Sequence, residues 1–482
     1  MSVAGQNSRY NSMTIDGVAI NDTFGLESNG SPTARQPISI EAIQSVQVNV
    51  ANYDVTQKGY TGANINAVTK SGTNTYKGGV YYVFRNDTMS GDRYNPTNDT
   101  YSEPPKSKET TKGIWASGPL IKDKLFIFAL AENFESSRSS PDFGAIGSGA
   151  GTTVGITPSA ISEAQNIAQS VYGIDIGGST VPSGSMLTSK ERMVKFDWNI
   201  TDDHRANLRY AKTEQGEPFY PNFSATGVSL SSAFYNQAKS IETVVGQVFS
   251  DWTPNFSTEL KFSTRDYDSA PNNASRLPSM ALLFNGALPA EAPAGVSNRD
   301  RFLNFGTERS RHNNVLGNKT KDYYAGANWV VGDHELKFGV DRTENKIYNA
   351  FLQGVFGEYT FGCIDTTDAN FYSFGALPNC AAASAAQIQA AVLENFRLGR
   401  PTNYSVQRAA PGSSLEQAAA QFELKNTGLF LQDTWSVNDQ LTLTYGVRYD
   451  RNDVGGRPLA NAAAAQALVA GNPATGARQS GG

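Results

Sequence analysis

From Leu441 to Asp450 the chain changes character at every residue. Leu441, Leu443, Tyr445, Val447 and Tyr449 are apolar, whereas Thr442, Thr444, Gly446, Arg448 and Asp450 are small or polar. Side chains of an extended strand point alternately to opposite faces, so this stretch reads as a strand with one apolar and one wet face. The pattern recurs in pairs. Val194, Phe196, Trp198 and Ile200 alternate with Lys195, Asp197 and Asn199, a turn follows at Thr201-Asp202-Asp203, and Leu208 and Tyr210 return against Asn207 and Arg209. Val244, Val248 and Trp252 run to Thr253-Pro254-Asn255, after which Leu260 and Phe262 alternate with Glu259 and Lys261. Tyr323 to Val331 turns at Gly332-Asp333 into Leu336, Phe338 and Val340, and a further turn is expected at Asn438-Asp439. An earlier hairpin turns at Lys122-Asp123.

Connection length then separates a soluble sandwich from a membrane barrel. Strands are expected at about 75–86, 111–121, 123–136, 190–201, 204–216, 240–252, 256–268, 318–331, 334–346, 420–437 and 440–452. Their connections alternate strictly between a few residues and roughly 20 to 75, the arrangement of short periplasmic turns and long extracellular loops. The long loops are rich in Gly, Ser, Asn and Pro, with helical patches at 159–172 and 385–397. No apolar run approaches the length of a membrane helix. A mean hydropathy of -0.40 is compatible with a barrel, in which only alternate residues meet lipid. Phe196, Trp198, Leu260, Phe262, Leu336, Phe338, Leu443 and Tyr445 are the expected lipid-facing residues. About eleven strands is half of the roughly 22 in the largest plugged barrels.

The net charge of -5 comes from interspersed residues without a basic stripe, so nucleic acid is not an expected partner. Cys363 and Cys380 stand close together in one loop-like segment and are expected to form a disulfide outside the cytosol. The chain has no G-x-S-x-G elbow, Walker A loop or C-x-x-C pair, and no enzyme is expected. His204, His312 and His334 are scattered, and Phe338 stands where a zinc helix beginning at His334-Glu335 would need its second histidine. Asp365 and Asp368 lack calcium-loop spacing. No metal or cofactor is expected.

The first 74 residues carry a different text. Thr14-Ile15-Asp16-Gly17-Val18 is followed by Pro37 to Val48, containing Ile40, Ile43, Val46 and Val48. Next come Gly59 to Asn74, with Gly59, Gly62 and the run Thr69-Lys70-Ser71-Gly72-Thr73-Asn74. Ser39 is placed to cap a single helical turn, Val46, Val48 and Val50 read as a buried strand, and the glycines read as tight turns. In order, these segments resemble the rear half of the plug of TonB-dependent receptors, most closely the Oar-like subgroup.

The resemblance implies part of a plug at 1–74 and, at 75–482, the first half of a 22-stranded-type antiparallel transmembrane β-barrel. It implies uptake of an extracellular ligand, whose identity and contact residues the sequence does not name, in the outer membrane of a Gram-negative bacterium. The implied partners are membrane lipid and the TonB complex, which would act through a segment ahead of this chain. The first residues show no signal peptide, and the last, Leu459 to Gly482, are Ala/Gly-rich, so a fragment without independent activity is expected. The alternative is a surface barrel whose long loops serve adhesion or ligand binding.

Overall fold

The computed structural model describes residues 5–456, apart from 51–52, 60, 97–98, 105, 138–139 and 183–184. The Ala/Gly-rich tail from Leu459 lies outside the described residues. An N-terminal sheet comprises β1 (Ser12–Ile15), β2 (Val18–Ala19), β3 (Ile43–Asn49) and β4 (Asn64–Thr69), in the order β2-β1-β4-β3. Eleven long strands follow: β5 (Lys77–Asn86), β6 (Lys108–Ile121), β7 (Leu125–Ser137), β8 (Met186–Asn199), β9 (His204–Phe219), β10 (Tyr235–Thr253), β11 (Phe256–Asn273), β12 (Asn314–Val331), β13 (His334–Phe351), β14 (Ala420–Asn438) and β15 (Leu441–Gly455). Among the described residues they form one sheet in sequence order, antiparallel throughout, with β5 and β15 at its edges.

All eleven expected strands are present. Most run a few residues longer on the long-loop side, where polar sequence hides the alternation. The last turn is displaced by one residue, because Asn438 still pairs with Leu441.

The long loops do not stay irregular. Segments from four of them converge into a second folded unit. Its five-stranded sheet runs in the order Gly227–Ser229, Arg301–Phe305, Ser279–Phe284, Glu358–Phe361, Asn403–Ser405. Helix α2 (Ala385–Arg397) packs on it, and helix α1 (Pro158–Tyr172) packs on α2. Helix α1 begins with Thr157 as N-cap and Pro158 in its first turn and ends at left-handed Gly173, while a Ser384–Gln387 capping box starts α2. Ile161, Leu282, Leu303, Ile388, Val392 and Phe396 form a continuous apolar core between these pieces. Each loop alone is too polar to collapse, and only together do they bury such a core.

One expectation is overturned. Val46, Val48 and Val50 are 53%, 48% and 55% exposed. β3 is the edge of the N-terminal sheet and pairs only with β4, so among the described residues no second layer covers these valines.

Candidate functional site

The N-terminal unit sits against the concave face of the large sheet, and polar contacts define the seam. Asp16 and Gly17 take φ of 51° and 71°, so the β1–β2 turn needs two left-handed residues, a conformation Asp tolerates and Gly favours. The turn aims the Asp16 carboxylate two ways. One oxygen accepts from Thr69 N at 2.9 Å. The other accepts from Thr69 Oγ1 at 2.8 Å and lies 3.1 Å from Nε of Arg209 on β9. Arg209 also donates to Ile15 O. From β8, Lys195 reaches Ser71 Oγ at 3.0 Å. The Thr-Lys-Ser-Gly-Thr-Asn run is thus held against the wall that it precedes.

Further round the wall, Glu132 on β7 is a hub. It accepts from Arg35 Nη2 at 2.7 Å, Ser39 Oγ at 2.6 Å and Tyr81 Oη at 2.6 Å. Glu191, its buried cross-strand neighbour, puts a second carboxylate beside the same cation. Lys239 pairs with Glu27, and Arg265 donates to Ala19 O at 2.9 Å and Asn21 O at 3.3 Å. Lys58 pairs with Asp341, Lys337 lies 2.5 Å from Asp54, and Arg448 donates to Val55 O at 3.1 Å. Burial alone raises the Asp54 pKa, but hydrogen bonds from Lys337 and Thr56 outweigh it and hold the carboxyl below its usual range.

Between the N-terminal sheet and β11–β13 lies a cavity of 430 Å³, with Asn64 and Asn66 on one side and Lys261, Arg265, Asp322 and Tyr324 on the other. Polar side chains stand on both walls, so the space suits water.

The structure spreads the sequence-predicted residues over three places. Ile15, Asp16, Gly17, Lys70, Ser71, Gly72, Thr73 and Asn74 gather at the seam. Ile15 packs in a small core with Ile20 and Ala67, against which Ile43 also rests. Lys70 pairs with Glu41 at 3.4 Å, Thr73 Oγ1 donates to Thr75 O, and Asn74 bonds Asp123 in the first short turn. Gly72 is a point of close approach rather than a tight turn: a Cβ there would lie 2.6 Å from Ile127 O. Gly62 is similar, crowded by Asn11, whereas Gly59 has φ +75°. Ile40, Val46 and Val48 stand on the exposed side, and Ile40 belongs to the one-turn helix capped by Ser39.

The second place is the convex face. Residues of the large sheet that touch the N-terminal unit fix which parity points inward. The opposite parity puts Phe196, Trp198, Leu260, Phe262, Leu336, Phe338, Leu443 and Tyr445 outward. Six of these are exposed, and Phe196 and Leu336 are half-buried. The third is the loop unit, where Cys363 and Cys380 are joined. Asp365 there accepts from Cys380 N at 2.7 Å, and no group of three candidate metal ligands occurs among the described residues.

Sequence reasoning passed over Glu132 and Glu191 and gave no partner to Arg209, Arg265 and Asp341. Each is a charged residue on the wet face of an otherwise regular strand. Only the identity of what it meets distinguishes it from a solvated residue.

A model of a family described as outer membrane beta barrel domain matches residues 68–183 and 178–459. The TonB-dependent transporter Oar of Myxococcus xanthus is 31% identical over 133 residues, which is 27% of this chain and 12% of that protein. Among solved structures, the outer membrane transporter YddB of Escherichia coli matches over 94% of this chain and 51% of its own, with TM-score 0.59 at 11% identity. The siderophore receptor PirA of Acinetobacter baumannii matches over 92% and 49%, with TM-score 0.51 at 14% identity. A variant of the ferric enterobactin receptor PfeA of Pseudomonas aeruginosa matches over 92% and 50%, with TM-score 0.52 at 13% identity. The chain therefore spans about half the length of these solved chains.

Proposed function

Because this chain belongs to the outer membrane beta barrel family, we propose that residues 1–74 are part of a plug and residues 75–482 part of the barrel wall of a TonB-dependent receptor of the Oar-like kind. The protein lies in the outer membrane, and the relatives found are transporters or receptors. The observation that carries the reading is the seam. An N-terminal sheet is held inside the curve of the wall by charged side chains, chiefly Asp16–Arg209 and Arg35–Glu132, beside one small apolar cluster in which Ala42 and Ile38 meet Phe128, Leu130 and Met193. Such contacts can be exchanged for water at small net cost when the plug is pulled, whereas a dry interface would have to be torn open.

In this reading the loop unit captures a ligand from outside and the plug blocks the lumen. The TonB complex, driven by the inner-membrane proton gradient, shifts the plug, and the 430 Å³ polar cavity lies on the path opened. The ligand is a siderophore, cobalamin, peptide or glycan.

The test is uptake of one labelled member of each class by cells with and without the gene, before and after collapse of the proton gradient. Gene-dependent uptake that stops with the gradient is expected for one class. Uptake that survives the collapse, or none in any class, overturns the proposal.

A second reading, adhesion through the loops, is favoured by one observation: the loops form a unit with its own core and disulfide. Its mark would be surface binding that persists when the gradient is abolished.

A further inference from the structure

Toward the short-turn end of β12–β15 the apolar outward face carries the carboxylate of Asp433. Along the row Trp329, Leu336, Asp433, Tyr445 each residue is the cross-strand partner of the next. Asp433 is thus on the same outward face as the apolar residues around it, and it is only 9% exposed. Its Oδ2 receives the Tyr445 hydroxyl at 2.7 Å and lies 2.8 Å from His334 Nδ1. His334 is itself stacked on Trp435, with ring centroids 5.4 Å apart. The other carboxylate oxygen, Asp433 Oδ1, is buried with no hydrogen-bond partner among the described residues.

The row lies at the level of a belt. Trp198, Trp252, Trp329 and Trp435, four of the five tryptophans, all stand near the short-turn ends of their strands, where aromatic girdles meet the headgroup layer. A carboxylate in such a layer demands a cation, because an uncompensated charge next to hydrocarbon is costly. The nearest turns add Asp333 and Asp439, so the local field favours a cation over an anion. His334 and Tyr445 cover the carboxylate, and both are partly exposed side chains at the surface.

We propose that Asp433, with His334, Tyr445 and Trp435, is a binding site for the primary ammonium headgroup of a phospholipid in the periplasmic leaflet. The proposal rests on the outward face meeting lipid. It is independent of which ligand is transported.

The test is native mass spectrometry of the protein extracted from the outer membrane, with phosphatidylethanolamine, phosphatidylcholine or phosphatidylglycerol added. Wild type should retain phosphatidylethanolamine about tenfold over the other two, the ratio expected of one charge-assisted hydrogen bond. Asp433→Asn should abolish that preference, whereas Leu260→Val, on the same outward face but on β11 and outside the site, should keep it. Heat-modifiable migration checks separately that each variant is still a folded barrel. Should Asp433→Asn not fold, the wild-type preference among the three lipids decides alone. Equal retention of all three lipids by wild type overturns the proposal. Unchanged preference in Asp433→Asn overturns it, as does co-purification of a protein that only wild type binds.

Discussion

Arg209 of the wall and Asp16 of the N-terminal turn meet with Nε and Oδ2 3.1 Å apart, and their side chains are 3% and 10% exposed. Each is the other's charge compensation, and the turn that presents Asp16 also receives two bonds from Thr69. A pair this buried is fragile when halved. Asp16→Ala should destabilise the seated N-terminal unit by about 3 to 5 kcal/mol, because it strands a buried guanidinium. Limited proteolysis of the purified receptor would show faster cleavage within residues 1–74, and Asp16→Ala/Arg209→Met should restore much of the loss. A single variant as protease-resistant as wild type would show that the pair does not hold the seam.

The disulfide acts on the loop unit and not on the barrel. Cys363 and Cys380 are 17 residues apart, and closing a loop of that size is worth about 3 kcal/mol in the chain-entropy model. Cys363→Ser/Cys380→Ser should raise hydrogen exchange across 358–405 while exchange in β13 and β14 stays unchanged. Peptide mapping without reductant checks the bond itself, and two alkylatable thiols in protein from the membrane would count against it.

His312 sets a pH dependence in the same unit. It is 6% exposed, its Nε2 lies 3.0 Å from Thr307 O, and its Nδ1 accepts from Phe356 N at 3.2 Å. Burial pushes its pKa below the usual 6.5, a shift only partly offset by the bond to Thr307. The folded form therefore disfavours the proton that the unfolded form accepts. Stability from this group is intact above about 6.5 and is lost as pH falls from there through the lower folded value. The Phe356 amide should show a lower protection factor, taken relative to the base-catalysed intrinsic rate at each pH, at pH of about 5 than at about 7.5. His312→Asn should flatten that difference, and an unaltered difference in the variant would assign the effect to other groups.

Charge on the convex face should be costly. Arginine at Phe338, on the long-loop side of the aromatic belt, is expected to destabilise the barrel by about 2 to 4 kcal/mol, and arginine at Leu443, the cross-strand partner of Trp435 in that belt, by less. Arginine in place of Thr444, whose side chain points inward, should cost less than at Leu443. Urea titration of heat-modifiability in lipid vesicles measures both. Free tolerance at Phe338 would argue that this face does not meet lipid.

The sequence by itself determined the strands. Alternation between Leu441 and Asp450, or between Val194 and Ile200, is a local property of an extended backbone. It therefore fixed the eleven strands, their short turns and which residues share a face. The ordered motif around Asp16 and Gly17 was legible for a similar reason, because two successive left-handed residues restrict composition strongly.

What each face meets was decided only in three dimensions. Val46 and Val48 carry a buried-strand pattern, yet they lie exposed because β3 falls at the edge of its sheet. Glu132 and Asp433 both look like wet-face residues of ordinary strands. One became the hub for Arg35 and Ser39 and the other a carboxylate on the convex face, because pairing register assigns parity to a side and sequence distance says nothing of register. The loop core is the extreme case. Ile161, Leu303 and Phe396 come from three loops, and a hydrophobic contact between segments so far apart leaves no periodicity in any one of them.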